Sequence, residues 1–385
     1  MQLLKIILLF TTWLFSTKSK NILLDVKTNL ITSFFNINIS LGTPPKEFEY
    51  PINTYISFTN LPLHNYDGSY SSSYEVMTTE EIEVNGNKQI SDMVEERVIL
   101  NNKPSINNYR YYLSQKPISH IWDEGFGFGL AKENNTMSLI NLLYNSNQID
   151  RKQFFIFPRG IFGNDKENGA LLLGEPDSSL NYNYFGKCKV GENESKWGCF
   201  LKNMKIGEQT FDYNLNSIFN SCQFFAVLST EFFNFVEKNI FQQYVEQGTC
   251  RKMGGFVRDR IICSPDVINN FGEVEFNFSG GMNIKIPMSK MFDCPEKTCN
   301  SLFSSDYLNN STFQFGVHFL KLFDKNGYDF TTKEVSFYSN QIAIKMDNNN
   351  YLSYGKKLYF FIFIFCLFGI FIIITNKKEK INNNL

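Results

Sequence analysis

The chain has 385 residues, with 37 Lys and Arg against 38 Asp and Glu and a formal charge of −1. That balance removes any global electrostatic case for binding nucleic acid or an acidic surface, and the length allows a large core in two domains. Aromatic residues reach 16%, mostly Phe and Tyr, enough to fill cores and strand faces.

In chain order, residues 1–19 read as a secretory signal: Lys5, then the apolar stretch from Ile6 through Phe15, then small polar residues around Ser16 to Ser19. The body reads mainly as strands and turns. Phe34 to Leu41 partly alternates, and Gly42 to Pro45 marks a turn. Ile82-Glu83-Val84-Asn85-Gly86-Asn87 reads as a strand entering a hairpin, because Asn-Gly accepts positive φ. Leu139 to Ile149 suits a short helix. Ala170 to Gly174, Met204 to Gly207 and Val274 to Gly281 suit strands ending in turns. Thr230 to Val245 has helical spacing, with Phe232, Phe233, Val236, Ile240 and Tyr244 on one side. The apolar pattern weakens from Asn181 to Ser195, a natural boundary between two halves.

Beyond a polar stalk at 347–357, the uncharged run Leu358 to Ile374 has the length and hydropathy of one transmembrane helix. Residues 375–385 form a short tail containing Lys377, Lys378 and Lys380. With a cleaved signal this predicts a type I single-pass protein whose main domain is lumenal or extracellular. Cys188, Cys199, Cys222, Cys250, Cys263, Cys294 and Cys299 precede the anchor, and seven cannot all pair within one chain. Cys294 and Cys299 bracket four residues and read as a local pair. His64, His120 and His318 are dispersed, so no metal or cofactor is expected. Sequons begin at Asn38, Asn134, Asn193, Asn277, Asn309 and Asn310.

The remaining signal lies in ordered motifs. Gly42-Thr43-Pro44-Pro45-Lys46-Glu47-Phe48 leads to Asn53-Thr54-Tyr55-Ile56 and then Pro62. Asp123-Glu124-Gly125-Phe126-Gly127-Phe128-Gly129 and Gly169-Ala170-Leu171-Leu172-Leu173-Gly174 follow. Later come Asn220-Ser221-Cys222-Gln223, Gly316-Val317-His318-Phe319-Leu320-Lys321, Tyr328-Asp329 and Val335-Ser336-Phe337. Together these resemble the pepsin-like aspartic proteases over residues 33 to 338. The resemblance implies a mainly β, bilobal fold, with an N-terminal lobe at 33–185, a C-terminal lobe at 196–340, and a cleft between them.

The family's two active-site segments read Asp-Thr-Gly-Ser and Asp-Thr-Gly-Thr or Asp-Ser-Gly-Thr. Here Asn53 and Asn220 stand at the acid positions, and Tyr55 and Cys222 at the glycines. Thr54 and Ser221 retain the hydroxyls that resemble the pair bracing the loops. Residues Ser71 to Glu81 lack the family's Tyr-Gly-x-Gly run. The reaction needs two carboxylates of unlike protonation, and an amide relays no proton near neutral pH. The resemblance therefore implies a catalytically inactive scaffold that recognises a peptide or protein, with Thr54, Tyr55, Ser221 and Cys222 as cleft residues. Two alternatives stand beside it: an active endopeptidase with an atypical centre, and a structural or adhesion ectodomain using an outer face.

Overall fold

Period-two burial builds the sheets. Strand Asn21–Thr28 buries Ile22, Leu24 and Val26 and exposes most of the residues between them, the pattern of a half-buried strand. The computed structural model describes residues 20–28, 34–62, 66–84, 87–100, 105–115, 125–130, 137–160, 168–176, 183–191, 194–254, 259–295, 298–305 and 313–339. The expected signal at 1–19, stalk at 347–357, membrane helix at 358–374 and tail lie outside these residues. Among the described residues, no helix is long and apolar enough to cross a membrane.

One sheet joins the two ends of the chain. Asn21–Thr28 pairs with Asn168–Gly174, which pairs with Gln153–Phe157. That strand takes Lys325–Asp329 as its next neighbour, followed by Glu334–Tyr338 and Tyr184–Lys189, all antiparallel. On its other side Asn21–Thr28 continues into Phe35–Leu41, Asn87–Leu100 and Ser105–Ser114. A second sheet is built from residues between 198 and 315, with Gln209–Phe219 between Gly198–Ile206 and Phe313–Phe315. The disulfide Cys188–Cys199 ties the two sheets, while Cys250–Cys263 and Cys294–Cys299 close local turns.

Glu75–Val84 and Asn87–Leu100 form a long hairpin with Val84 opposite Asn87; Asn85 and Gly86 lie outside the described residues. Leu139–Asn145 is helical, with Ser138 as its cap. The stretch after Ser229 departs from a single regular helix. Thr230–Val236 is α-helical, Glu237–Phe241 is a π turn, and Gln242–Glu246 resumes the α-helix. The wider turn brings Phe241 inside beside Ile240, so both are buried, while Tyr244 stacks edge-on against Phe271 at the margin. A second departure lies at Val317–Leu320: the family motif it resembles is a strand, but here it forms one helical turn. The strand Phe313–Phe315 stops there because the backbone must pass beneath a loop at Gly316.

Aromatic rings fill the space under this crossing. Phe219, Phe315, Phe319 and Phe337 pack together, with Phe315 and Phe319 ring centroids 4.1 Å apart. Trp197, fully buried, meets Phe154, Tyr328 and Phe330. At roughly 1.5–3 kcal/mol per fully buried large apolar side chain, this layer outweighs any single hydrogen bond above it.

Candidate functional site

Two strands run into two loops, each crossed by a second strand. Lys46–Asn53 lies parallel to Phe126–Gly127, and beyond it Phe128 N–H donates to Asn53 O at 2.8 Å and Gly129 N–H to Ile56 O at 2.6 Å. Gln209–Phe219 lies parallel to Phe313–Phe315. There Asn220 N–H donates to Phe315 O at 2.9 Å and Val317 N–H to Gln223 O at 2.6 Å. The crossings leave no room for side chains. A Cβ on Gly127 would stand 2.2 Å from Phe58 O, and one on Gly316 2.3 Å from Gln223 O and 2.4 Å from Phe225 O.

The loops grip each other through two hydroxyls. Thr54 Oγ1 accepts from Ser221 N–H at 3.0 Å and donates to Phe219 O at 2.8 Å. Reciprocally, Ser221 Oγ accepts from Thr54 N–H at 3.0 Å and donates to Ile52 O at 2.5 Å. Thr54, Ser221, Phe219 and Ile52 are all fully buried. Four buried backbone groups are thus satisfied by two side chains from distant parts of the chain.

Asn53 and Asn220 sit at the mouths of these loops, both buried. Asn53 Oδ1 accepts from Tyr55 N–H at 2.9 Å and Ile56 N–H at 3.3 Å. Asn220 Oδ1 accepts from Cys222 N–H at 3.0 Å, and its Nδ2 donates to Gln314 Oε1 at 3.3 Å. Each carbonyl closes its own turn, an acceptor role that needs no charge. Neither loop, Ile52 to Ile56 or Phe219 to Gln223, contains a carboxylate.

Among solved structures, the chain is similar to the crystal structure of an aspartic proteinase from Irpex lacteus. The TM-score is 0.64 at 14% identity, and the match covers 84% of this chain and 98% of that one. The fold is that of a pepsin-like aspartic proteinase. At this identity the likeness carries architecture and not activity. No family profile matches the sequence, and neither does any curated protein.

Within this pepsin-like fold the first loop carries an unusual load. Ile56 forms a buried cluster with Ile82 and Val84 of the hairpin, and Tyr55, Phe58 and Tyr112 pack against it. The Tyr55 hydroxyl is hydrogen-bonded to Lys196 Nζ, and that ammonium lies 3.4 Å from the centroid of its ring. Burial of the ammonium pulls Lys196 down to about 8, partly opposed by the Glu194 carboxylate. The next residue, Trp197, donates from Nε1 to Phe128 O at 2.8 Å, so the strand crossing the first loop also fixes this corner. Lys196, Trp197 and Gln314 carry no motif of their own. The sequence signal that could have found them was a charged residue beside a tryptophan immediately before an apolar strand.

Cys222 is fully buried, belongs to none of the three disulfides, and directs its thiol to Ile52 O at 3.3 Å. His318 lies apart from the loop centre against the Phe224 ring, with centroids 4.3 Å apart and its Nε2 without a partner. Burial, helped by repulsion from Lys321, lowers it to about 4, so it is neutral at physiological pH. No hydrogen bond joins it to Cys222 among the described residues. No group of three or more His, Cys, Asp or Glu able to hold a metal occurs among them either. Asp123, Glu124, His64 and His120 lie outside the described residues.

Proposed function

We propose that this chain is a pepsin-fold protein that has lost aspartic-protease chemistry and acts by recognising a peptide or protein at the membrane. Asn53 and Asn220 are read as occupying the two acid positions. The observation that carries the proposal is their use of both side-chain carbonyls to close their own loops, with no ionisable acid in either loop. The reciprocal Thr54–Ser221 grip persists around them. An amide pair can hold a water or a peptide group by hydrogen bonds. It supplies neither the proton nor the base, whose assistance is typically about 10²–10⁴-fold. Tyr55 supports the same reading: at a position where the family's segment carries a glycine, its large ring packs on the Ile56, Ile82 and Val84 cluster and against Lys196.

The test is to incubate the purified full chain with a peptide library across acidic pH, with and without a statyl-type transition-state mimic. No cleavage is expected. Cleavage suppressed by the mimic would establish an active enzyme with an atypical centre and end this reading. Anchoring through Leu358 to Ile374 is part of the proposal and is checked by protease protection in sealed vesicles. If the whole chain washes off with carbonate, that part fails.

A further inference from the structure

We propose that the corner formed by Lys196 and Tyr55 binds a carboxylate, the side chain of Asp or Glu in an extended acidic peptide. This rests on reading the site as a recognition surface and names the class of ligand it takes. The two loops contribute no acid, and the ammonium of Lys196 sits against Tyr55, which packs on Ile56 and the hairpin residues Ile82 and Val84. Lys196 forms no ion pair among the described residues. The carboxylate that it senses, that of Glu194, is engaged by the Asn216 side-chain amide.

Geometry supports the same ligand. An ammonium carries three donors, and the Tyr55 hydroxyl takes one of them. The cation is held in place from two sides. The adjacent Trp197 donates from its indole Nε1 to Phe128 O, and Tyr55 donates its N–H to Asn53 Oδ1. A half-buried cation that forms no ion pair among the described residues is unfavourable, and an incoming anion relieves that penalty through charge-assisted hydrogen bonds. The lowered pKa of Lys196 reports the same penalty and still leaves the group mainly protonated near neutral pH. The titratable groups facing it are Tyr55 and Glu194; the cluster behind Tyr55 adds Ile82 and Val84, which are apolar, and Tyr112, whose hydroxyl donates to the Glu80 carboxylate.

The experiment screens a pool of short fluorescent peptides against the full chain and compares each Glu-containing binder with its Gln twin by anisotropy. The Glu peptide is expected to bind at least about tenfold more tightly than its twin near neutral pH. The gap should vanish in Lys196→Met, persist in Lys196→Arg, and shrink as pH rises through about 8. Equal binding of the twins, or a gap that survives Lys196→Met, overturns the proposal while leaving peptide recognition standing. A pool in which no peptide binds, or in which peptides are cut, overturns recognition itself and this inference with it.

Discussion

Replacing Thr54 by Val tests the loop grip most directly. The change removes one hydroxyl while keeping the side chain's shape, so any loss comes from polar groups left behind. Two are orphaned: Ser221 N–H, now 3.0 Å from Oγ1, and Phe219 O, now 2.8 Å from it, both in fully buried residues. At about 1–3 kcal/mol for each buried unsatisfied group, Thr54→Val should cost about 2–6 kcal/mol. Ser221→Ala is the internal comparison. It orphans Thr54 N–H, but Ile52 O keeps a second donor in the Cys222 thiol, so the cost should be about 1–3 kcal/mol. The double variant should fall short of the sum by more than about 0.5 kcal/mol, because the two share one seam. Urea titrations followed by tryptophan fluorescence provide the readout, with Trp197 placed against the first loop's crossing strand. A Thr54→Val variant within about 0.5 kcal/mol of the parent would refute the reasoning, as would Ser221→Ala costing more than Thr54→Val.

Gly316→Ala should be far more damaging than Gly207→Ala: its Cβ would enter three backbone carbonyls, whereas Gly207 faces open space and bears only the cost of its positive φ. Comparative expression and thermal melts decide this, and equal losses would contradict the crossing geometry. His318 binds its proton less readily when folded, at about 4 against an ordinary 6.5. The unfolded chain therefore takes up more protons between those values. Stability should be complete above 6.5 and fall by at most about 3 kcal/mol as the pH drops through that window. In His318→Phe this component should be absent, as seen by denaturation at stepped pH; an unchanged acid slope would refute it. Cys222 should resist thiol alkylation in the native chain and react after unfolding, readable by mass spectrometry, and rapid native labelling would contradict its burial.

Local chemistry made much of this fold legible. Asn85-Gly86 announced the hairpin of Glu75–Val84 and Asn87–Leu100, because that dipeptide favours tight turns, and the Gly-Thr-Pro-Pro turn announced the strand leading to Asn53. The spacing of Phe232, Phe233, Val236 and Ile240 correctly marked a buried helical face. It missed Phe241 because an extra residue in a π turn breaks the period on which such a pattern depends. Val317 to Leu320 reads as strand only through the family motif it resembles; the helical turn follows the crossing at Gly316, a tertiary event with no local trace. The same limit hid the site's electrostatics. Nothing beside Lys196 in sequence suggests Tyr55, and only folding places that ammonium on that ring.

The pairing of Gln153–Phe157 with Lys325–Asp329 has a consequence for how the protein is made. While a ribosome is still synthesising the second half, the earlier strand waits with one edge unpaired, and its neighbour emerges only near the end of the described chain. Closure of that sheet is a late, long-range event, the kind that slows folding and exposes a sticky edge in the meantime. A nascent chain stalled before Lys325 should therefore be a client for chaperones in the compartment where it is made. Release of the last strands ends that dependence.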